Sequence, residues 1–203
     1  MLRPMRPYWQ AMMILAFGLP FGMAKEPEQA IAWQPLAVKI SAFSADLGLL
    51  DAERESYATS LASCAAIGIR EANASQEALD LGQRLLAVAL NLSPQNRLAK
   101  QVNQQLTQGE LPDALRAEYG AASLARLLLA RGNLLVKSQS QEDRLLGRMF
   151  FRLAADLDPK NDAAVAASKA DQLDFGNVDW TFLTRRRTGN PPPPPLPDPA
   201  KLP

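Results

Sequence analysis

The feature that most limits the fold of this chain is a stretch without proline that runs from Asp51 to Ser93. Alanine, leucine, glutamine, glutamate and arginine dominate this stretch, and these residues have high intrinsic helix propensities. A similar composition continues to about residue 175. Runs in which β-branched or aromatic residues alternate with polar ones, the signal of a strand, do not occur in this region. The sequence therefore predicts an all-α fold.

Local stop and start signals divide the first half of this region into three helices. The first is predicted to span roughly Ala52 to Ala72, where apolar residues recur at spacings of three and four. The second begins after Ser75, whose hydroxyl can cap free backbone N–H groups, and Pro94 ends it. The third begins after Asn96 and stops at Gly109.

Three more helices are predicted in the second half. The fourth runs from the polar turn at Pro112-Asp113 to about Lys137, with its leucines directed inward. The fifth follows a polar turn and ends at Pro159, and the sixth runs from Asn161 to Leu173. The leucines expected to face inward on the fourth helix are Leu124, Leu127, Leu128, Leu134 and Leu135.

The composition excludes several classes of function. The chain has no histidine, so catalytic triads, Cys-His nucleophiles and histidine-containing zinc sites are absent. Its single cysteine, Cys64, allows no internal disulfide and is expected to be a buried apolar residue. With 22 Lys and Arg against 21 Asp and Glu, no global charge indicates nucleic acid as a partner.

The amino terminus has the order of a secretory signal peptide. Arg3 and Arg6 precede a short apolar run, and small residues lead to a predicted cleavage site after Ala24. The alternative is a membrane anchor, but the run is shorter than the roughly 20 apolar residues that a spanning helix needs. We therefore expect residues 1–24 to direct export to the periplasm or the extracellular space, with no transmembrane span after cleavage.

Two segments of the helical region repeat each other at an offset of 65 residues. Leu81 and Leu146 each begin a segment that runs through Leu-Gly, an alanine and a leucine to a proline and an asparagine. A glycine in such a helix permits a close approach of a second helix, and the proline stops the helix before the asparagine caps the next one. The sequence thus predicts an internal repeat.

These segments resemble the second helix of the tetratricopeptide (TPR) repeat, whose signature is a small residue, an aromatic residue, an alanine and a proline. The matching residues are Gly147, Phe151, Ala154 and Pro159, and more weakly Gly82, Leu86, Ala89 and Pro94. The first-helix signature of that family is missing, and an offset of 65 is not twice the TPR length of about 34 residues, so the resemblance is to a degenerate, TPR-like repeat.

The resemblance implies antiparallel helix pairs that form a short right-handed solenoid over residues 51–183. A solenoid exposes an apolar face at each end, which must be covered. Residues 25–50 are expected to link the signal peptide to this domain and to cover the first pair. The residues expected to seal the last pair are Phe175, Trp180, Phe182 and Leu183.

One polar stripe on the fourth helix is a candidate partner site. Its members follow each other at spacings of three, seven and four, which places them on one side of a helix. They are Ser123, Arg126, Asn133 and Lys137. The TPR resemblance implies a peptide-binding groove lined by the first helix of each pair, whereas an ordinary solvated helix face explains the same pattern.

The carboxyl-terminal segment, residues 184–203, differs in kind from the rest. It contains three arginines, Arg185, Arg186 and Arg187, and then five consecutive prolines from Pro191 to Pro195. Such a sequence cannot form a core and is expected to be disordered and extended. It is a stiff spacer, a ligand for a proline-binding groove or, through its arginines, a contact to an anionic envelope surface.

Acidic residues near the end of the fifth helix raise the question of a metal site. They are Asp156, Asp158 and Asp162, together with Asn161. An EF-hand does not fit, because Lys160 stands where an oxygen ligand is required. A helix stop and an N-cap explain these residues, so the sequence predicts no metal and no cofactor.

The sequence as a whole predicts a non-catalytic protein-binding or scaffold module of the bacterial cell envelope. The alternative is an accessory subunit, or a truncated relative, of a larger exported enzyme. A carboxylate-dependent hydrolase is a third reading, but no convergent pair of carboxylates can be identified from spacing.

Overall fold

A computed structural model describes residues 31–184 of the chain. The predicted signal peptide, residues 1–24, and the arginine- and proline-rich segment from residue 185 onward lie outside the described residues. Within the described part the regular elements are all helices, which confirms the all-α class. They are α1 (Asp51–Glu71), α2 (Gln76–Leu92), α3 (Arg97–Thr107), α4 (Ala121–Leu135), α5 (Gln141–Leu157), α6 (Asp162–Phe175) and α7 (Thr181–Thr184).

Polar side chains set the starts of four helices. The hydroxyl oxygens of Ser75 and Ser140 accept from the backbone N–H three residues later, at the starts of α2 and α5. The side-chain oxygens of Asn96 and Asn161 accept in the same way, at the starts of α3 and α6. Each side chain satisfies one of the backbone donors that a helix start leaves free. All four caps lie where the sequence predicts the start of a helix.

The two asparagine caps differ in their other contacts, which predicts a difference in stability. Asn161→Ala should cost about 1 kcal/mol, the ordinary value of an N-cap. Asn96 also donates through Nδ2 to Glu55 Oε1 at 2.7 Å and to Thr59 Oγ1 at 2.8 Å. Asn96→Ala should therefore cost about 2 kcal/mol, because these acceptors lose their donor. Urea unfolding of both variants measures the difference, and equal losses would contradict it.

The helices form two units of three consecutive helices each. In the first unit, α1–α3, α3 packs against both α1 and α2. In the second unit, α4–α6, α6 packs against both α4 and α5. Helices α2 and α5 have 17 residues each and begin 65 residues apart, as do α3 and α6. Pro94 and Pro159 therefore lie at equivalent turns, each between the second and third helix of its unit.

The two units contact each other through helices that run in opposite directions. Glu53, at the start of α1, forms an ion pair of 2.9 Å with Arg131, near the end of α4. Cys64, in the second half of α1, lines the same cavity as Ala121, at the start of α4. Helices α1 and α4 are thus antiparallel. The predicted TPR-like solenoid requires successive pairs that stack in parallel, and the contacts between these two units do not show that stacking.

The segment before α1 lies across both units. The side chain of Asn103 on α3 accepts from Trp33 Nε1 at 3.1 Å, and it also bonds both backbone polar groups of Leu36. Farther along, the backbone N–H of Gly48 donates to Asp143 Oδ1 on α5 at 2.7 Å. Phe43 is buried between these contacts. Residues 31–50 therefore cover the first unit and also connect it to the second.

The carboxyl-terminal aromatic residues do not all pack where the sequence predicts. Phe175 lies on the last pair, with its ring 5.3 Å from the guanidinium of Arg148, and Trp180 lines a cavity with Arg152 of α5 and Ser168 of α6. Trp180 lies over Arg84 on α2, and Leu183 O accepts from Asn91 Nδ2 at 3.0 Å, also on α2. The expectation that this group seals the last pair is thus wrong for its α7 end, because the chain turns back at Gly176 and crosses to the first unit.

The fourth helix begins later than predicted. It starts at Ala121, whereas residues 110–120 form no regular helix. The carbonyl oxygen of Pro112 accepts from Arg70 Nη1 at 2.8 Å, and the backbone N–H of Asp113 donates to Gln105 Oε1. These contacts to α1 and α3 hold the chain in a non-helical path at Pro112 and Asp113, and the helix propensity of residues 114–119 does not extend α4 toward them.

In the described residues, none of the helices combines the length and the apolar character that crossing a membrane requires.

Candidate functional site

The four residues predicted as a partner site lie along the solvent side of α4 or directly after it. Arg126 and Asn133 are exposed, and Ser123 is half-buried. Arg126 Nη2 donates to Ser123 Oγ at 3.3 Å, the one direct bond among the four. Lys137 is exposed but lies in the turn beyond the end of α4 at Leu135. Within the stripe, the cations Arg126 and Lys137 thus lie on either side of Asn133.

Two leucines expected to point inward are exposed beside this stripe. Leu127 is 39% exposed and Leu134 is 60% exposed, whereas Leu124, Leu128 and Leu135 are buried. The prediction for Leu127 and Leu134 was wrong. Helix α4 packs against α5 with the side that carries Leu124, and the adjoining side, which carries Leu127 and Leu134, is exposed to solvent. We call the surface formed by Ser123, Arg126, Leu127, Leu134 and Lys137 the α4 outer face. It combines two apolar side chains with two cations.

A groove lies beside this face, between α4 and α6. We call it the α4–α6 groove; its volume is about 280 Å³. Asn133 of α4 and Val136 directly after it line one side, and Ala167, Ala170 and Asp174 of α6 line the other; Phe151 of α5 also lines the groove. Alanine is too short to close the space between the helices, so the groove is open and mainly apolar.

A buried ion pair closes one end of the α4–α6 groove. Arg148 Nε donates to both carboxylate oxygens of Asp171, at 3.0 and 3.1 Å, and Arg148 Nη2 donates to the carbonyl of Gly176 at 2.8 Å. Their side chains are 6% and 9% exposed. Burial raises the pKa of Asp171 above its usual value, and Arg148 opposes this shift by bonding and by charge. The pair joins α5 to α6 and fixes the chain reversal at Gly176.

Two other cavities occur among the described residues, and the first of them adjoins the groove at Asp171. One, of about 230 Å³, is lined by Arg84, Asp171 and Trp180; there Arg84 Nη1 pairs with Asp156 Oδ2 at 2.8 Å. The other, of about 370 Å³, lies between the two units beside Cys64. Burial raises the pKa of the Cys64 thiol, so the thiol is protonated at neutral pH and is a weak nucleophile.

Asp156 and Asn161, on either side of Pro159, have structural partners. Asp156 pairs with Arg84 and with Arg152 at 3.3 Å, and Asn161 caps α6. No group of three or more potential metal-binding side chains occurs between residues 31 and 184. These contacts agree with the helix stop and N-cap expected from the sequence.

Sequence reasoning missed the Arg148–Asp171 pair and the α4–α6 groove. Arg148 stands in a run of otherwise apolar residues, between Gly147 and Met149, and this position is the signal that could have indicated a buried arginine. The alanine-rich character of α6 was visible, but its consequence, a gap against α4, depends on how the helices pack.

Comparison with known proteins identifies no relative. No family model, no curated protein and no solved structure matches this chain.

Proposed function

We propose that this chain is an exported, non-catalytic protein-binding module of the bacterial cell envelope, and that a partner protein binds the α4 outer face. The observation that carries the proposal is the exposure of Leu127 and Leu134 between two cations, Arg126 and Lys137. Exposed leucines are common singly, but an apolar pair framed by charge on one helix face is typical of a binding surface.

The chemistry of the α4 outer face defines the kind of partner. Leu127 and Leu134 are seven residues apart, so they lie one above the other on the same side of α4. An amphipathic helix or an extended segment with paired apolar residues would bury both leucines. Acidic side chains on that segment would meet Arg126 and Lys137, which favours association and sets its orientation.

In the proposed architecture each unit is TPR-like, and the helices of the two units that face each other run antiparallel. In each unit the third helix contacts both helices of the preceding pair, as the first helix of a following repeat would. The signal-peptide pattern predicted for residues 1–24 supports export, and we propose Arg185, Arg186 and Arg187 as a second contact, to an anionic envelope surface. No cofactor is part of the proposal.

Charge reversal on the α4 outer face tests the proposal. A photo-crosslinking amino acid in place of Leu134 should give a crosslinked adduct with one envelope protein in cells. Adding Arg126→Glu and Lys137→Glu should remove that adduct while the melting temperature stays unchanged, because both side chains are exposed. The matched control is Arg97→Glu with Lys100→Glu, two exposed cations on α3. An adduct that survives the α4 reversal, or that the control removes equally, would refute the proposal.

A further inference from the structure

The cavity of about 230 Å³ beside Trp180 is formed by residues of both units, and we call it the Trp180 cavity. Arg84 of α2 lines it from the first unit, whereas Arg152 of α5 and Ser168 of α6 line it from the second. The chain that turns back at Gly176 contributes Trp180 itself. Three helices and the returning chain therefore bring their side chains together at one place.

Ser168 brings a buried hydroxyl group without a protein partner to this cavity. The residue is 8% exposed and lines the cavity, and its Oγ forms no hydrogen bond with any residue between 31 and 184. A serine within a helix can donate to the carbonyl four residues earlier, as Ser63 does to Thr59 at 2.9 Å, but Ser168 does not. Burial of an unbonded hydroxyl costs free energy, so a ligand that bonds Ser168 recovers that cost.

The arginines around the cavity outnumber their acidic partners. Arg84 Nη1 and Arg152 Nε lie 2.8 and 3.3 Å from the two oxygens of one carboxylate, that of Asp156. Asp171 also lines the cavity, but both of its oxygens accept from Arg148 Nε. Three guanidinium groups thus face two carboxylates, so these five side chains carry one positive charge in excess. The terminal nitrogens of Arg152 bond no other described residue and are available as donors.

We propose that the Trp180 cavity binds a small monocarboxylate with an apolar body. The paired N–H groups of a guanidinium match the two oxygens of a carboxylate, so Arg152 and the hydroxyl of Ser168 bind the charged end. One negative charge balances the excess positive charge of the site. Val178 and Trp180 line the cavity and contact the apolar body. The volume is below the roughly 300–1,000 Å³ of sites for drug-sized ligands, which limits the ligand to a smaller molecule.

This site is separate from the proposed protein-binding surface. None of the residues of the α4 outer face lines the Trp180 cavity. The reversal Arg126→Glu with Lys137→Glu, which tests partner binding, should therefore leave the affinity for a carboxylate unchanged. The two proposals can fail independently of each other.

Titration of the full chain with phenylacetate, followed by NMR, tests the site. The indole N–H resonance of Trp180 should shift and saturate with a Kd of about 1 mM, an affinity reasonable for a ligand of about ten non-hydrogen atoms. The internal control is Trp33, whose Nε1 donates to Asn103 and which does not line the cavity. Its indole resonance should stay in place. A Trp180 resonance that does not shift, or that shifts without saturation, would overturn the proposal.

Two further probes test which ligand chemistry the cavity prefers. Phenylacetamide has the shape of phenylacetate without its charge, and it should bind about tenfold more weakly, as expected for the loss of a charge-assisted hydrogen bond. Inorganic phosphate at pH 8 carries two charges and no apolar group, so it should also bind more weakly than phenylacetate. Equal affinity for phenylacetamide would refute a carboxylate site, and tighter binding of phosphate would assign the cavity to a different anion.

Substitutions at the two proposed contacts complete the test. Ser168→Ala should weaken phenylacetate binding about tenfold, while the melting temperature stays the same or rises, because the hydroxyl has no described partner to lose. Arg152→Gln should weaken binding by a similar factor with little effect on stability, since its pair with Asp156 is exposed. The matched control is Arg97→Gln, an exposed arginine on α3. Binding that neither Ser168→Ala nor Arg152→Gln weakens, or that Arg97→Gln weakens equally, would contradict the proposed contacts.

Discussion

Replacing Arg148 by methionine should lower the free energy of unfolding by about 3–5 kcal/mol, the usual cost of removing one partner of a buried ion pair. Methionine keeps much of the volume of the side chain but donates no hydrogen bond. The Asp171 carboxylate, whose side chain is 9% exposed, would lose both of its bonds to Arg148. The carbonyl of Gly176 would lose its donor as well. Urea unfolding at neutral pH measures the loss.

A double variant separates the ion pair from simple packing. Arg148→Met with Asp171→Leu removes both charges, so it should recover most of the stability that Arg148→Met loses, since a buried pair can often be replaced by apolar residues at little cost. Arg148 Nη2 also donates to the carbonyl of Phe175 at 3.3 Å, so a double variant as unstable as the single one would show that the bonds to the carbonyls of Phe175 and Gly176, rather than the uncompensated carboxylate, carry the effect.

The loss in Arg148→Met should also depend on pH. Burial already raises the pKa of Asp171 above its usual value, and loss of Arg148 raises it further. A carboxyl group with a raised folded-state pKa contributes stability below its unfolded pKa and loses it as pH rises through the folded pKa. The variant should therefore be closer to the wild type at about pH 4 than at pH 7. A larger loss at pH 4 would contradict this assignment.

Local chemistry was enough to predict most of the helices. Ser75, Asn96 and Asn161 cap helices at the predicted places, and Pro94 and Pro159 lie just beyond helix ends, because caps and prolines act on their immediate neighbours. The predicted start of α4 was wrong for the opposite reason. Residues 110–120 are held by contacts to α1 and α3 that are distant in sequence, so no local pattern could reveal them.

The candidate site could be predicted only in part. Helical periodicity placed Arg126 and Asn133 on one side of α4, and both are exposed. Periodicity could not show which leucines of α4 are buried, since they occur on several sides of the helix and the partner helices cover only one side of it. Leu127 and Leu134 are exposed for that reason. The α4–α6 groove depends on the distance between two helices, which the sequence of neither one specifies.

The glycines of the two Leu-Gly dipeptides pack differently, although the sequence predicts that both permit the close approach of a second helix. At Gly147 an added Cβ would lie 2.8 Å from Val136 Cγ1 and 3.1 Å from the carbonyl oxygen of Gly132. At Gly82 the nearest atoms belong to the end of the Ile69 side chain, at 2.5 and 3.0 Å. A backbone carbonyl cannot move aside, whereas the end of a flexible side chain can adopt another rotamer.

Gly147→Leu should therefore destabilise the protein by about 3 kcal/mol or more, because the α4–α5 crossing must open to admit the side chain. Gly82→Ala should be nearly neutral, since the movement of Ile69 is offset by the higher helix propensity of alanine, about 1 kcal/mol. The control is Gly68→Leu on α1, an exposed position beside the cavity between the two units, where nothing lies within 4 Å of an added Cβ and stability should rise slightly. Thermal and urea unfolding of the three variants measure these effects. If Gly147→Leu were as stable as the wild type, α4 and α5 could not cross as closely at Gly132 and Gly147 as the structure shows.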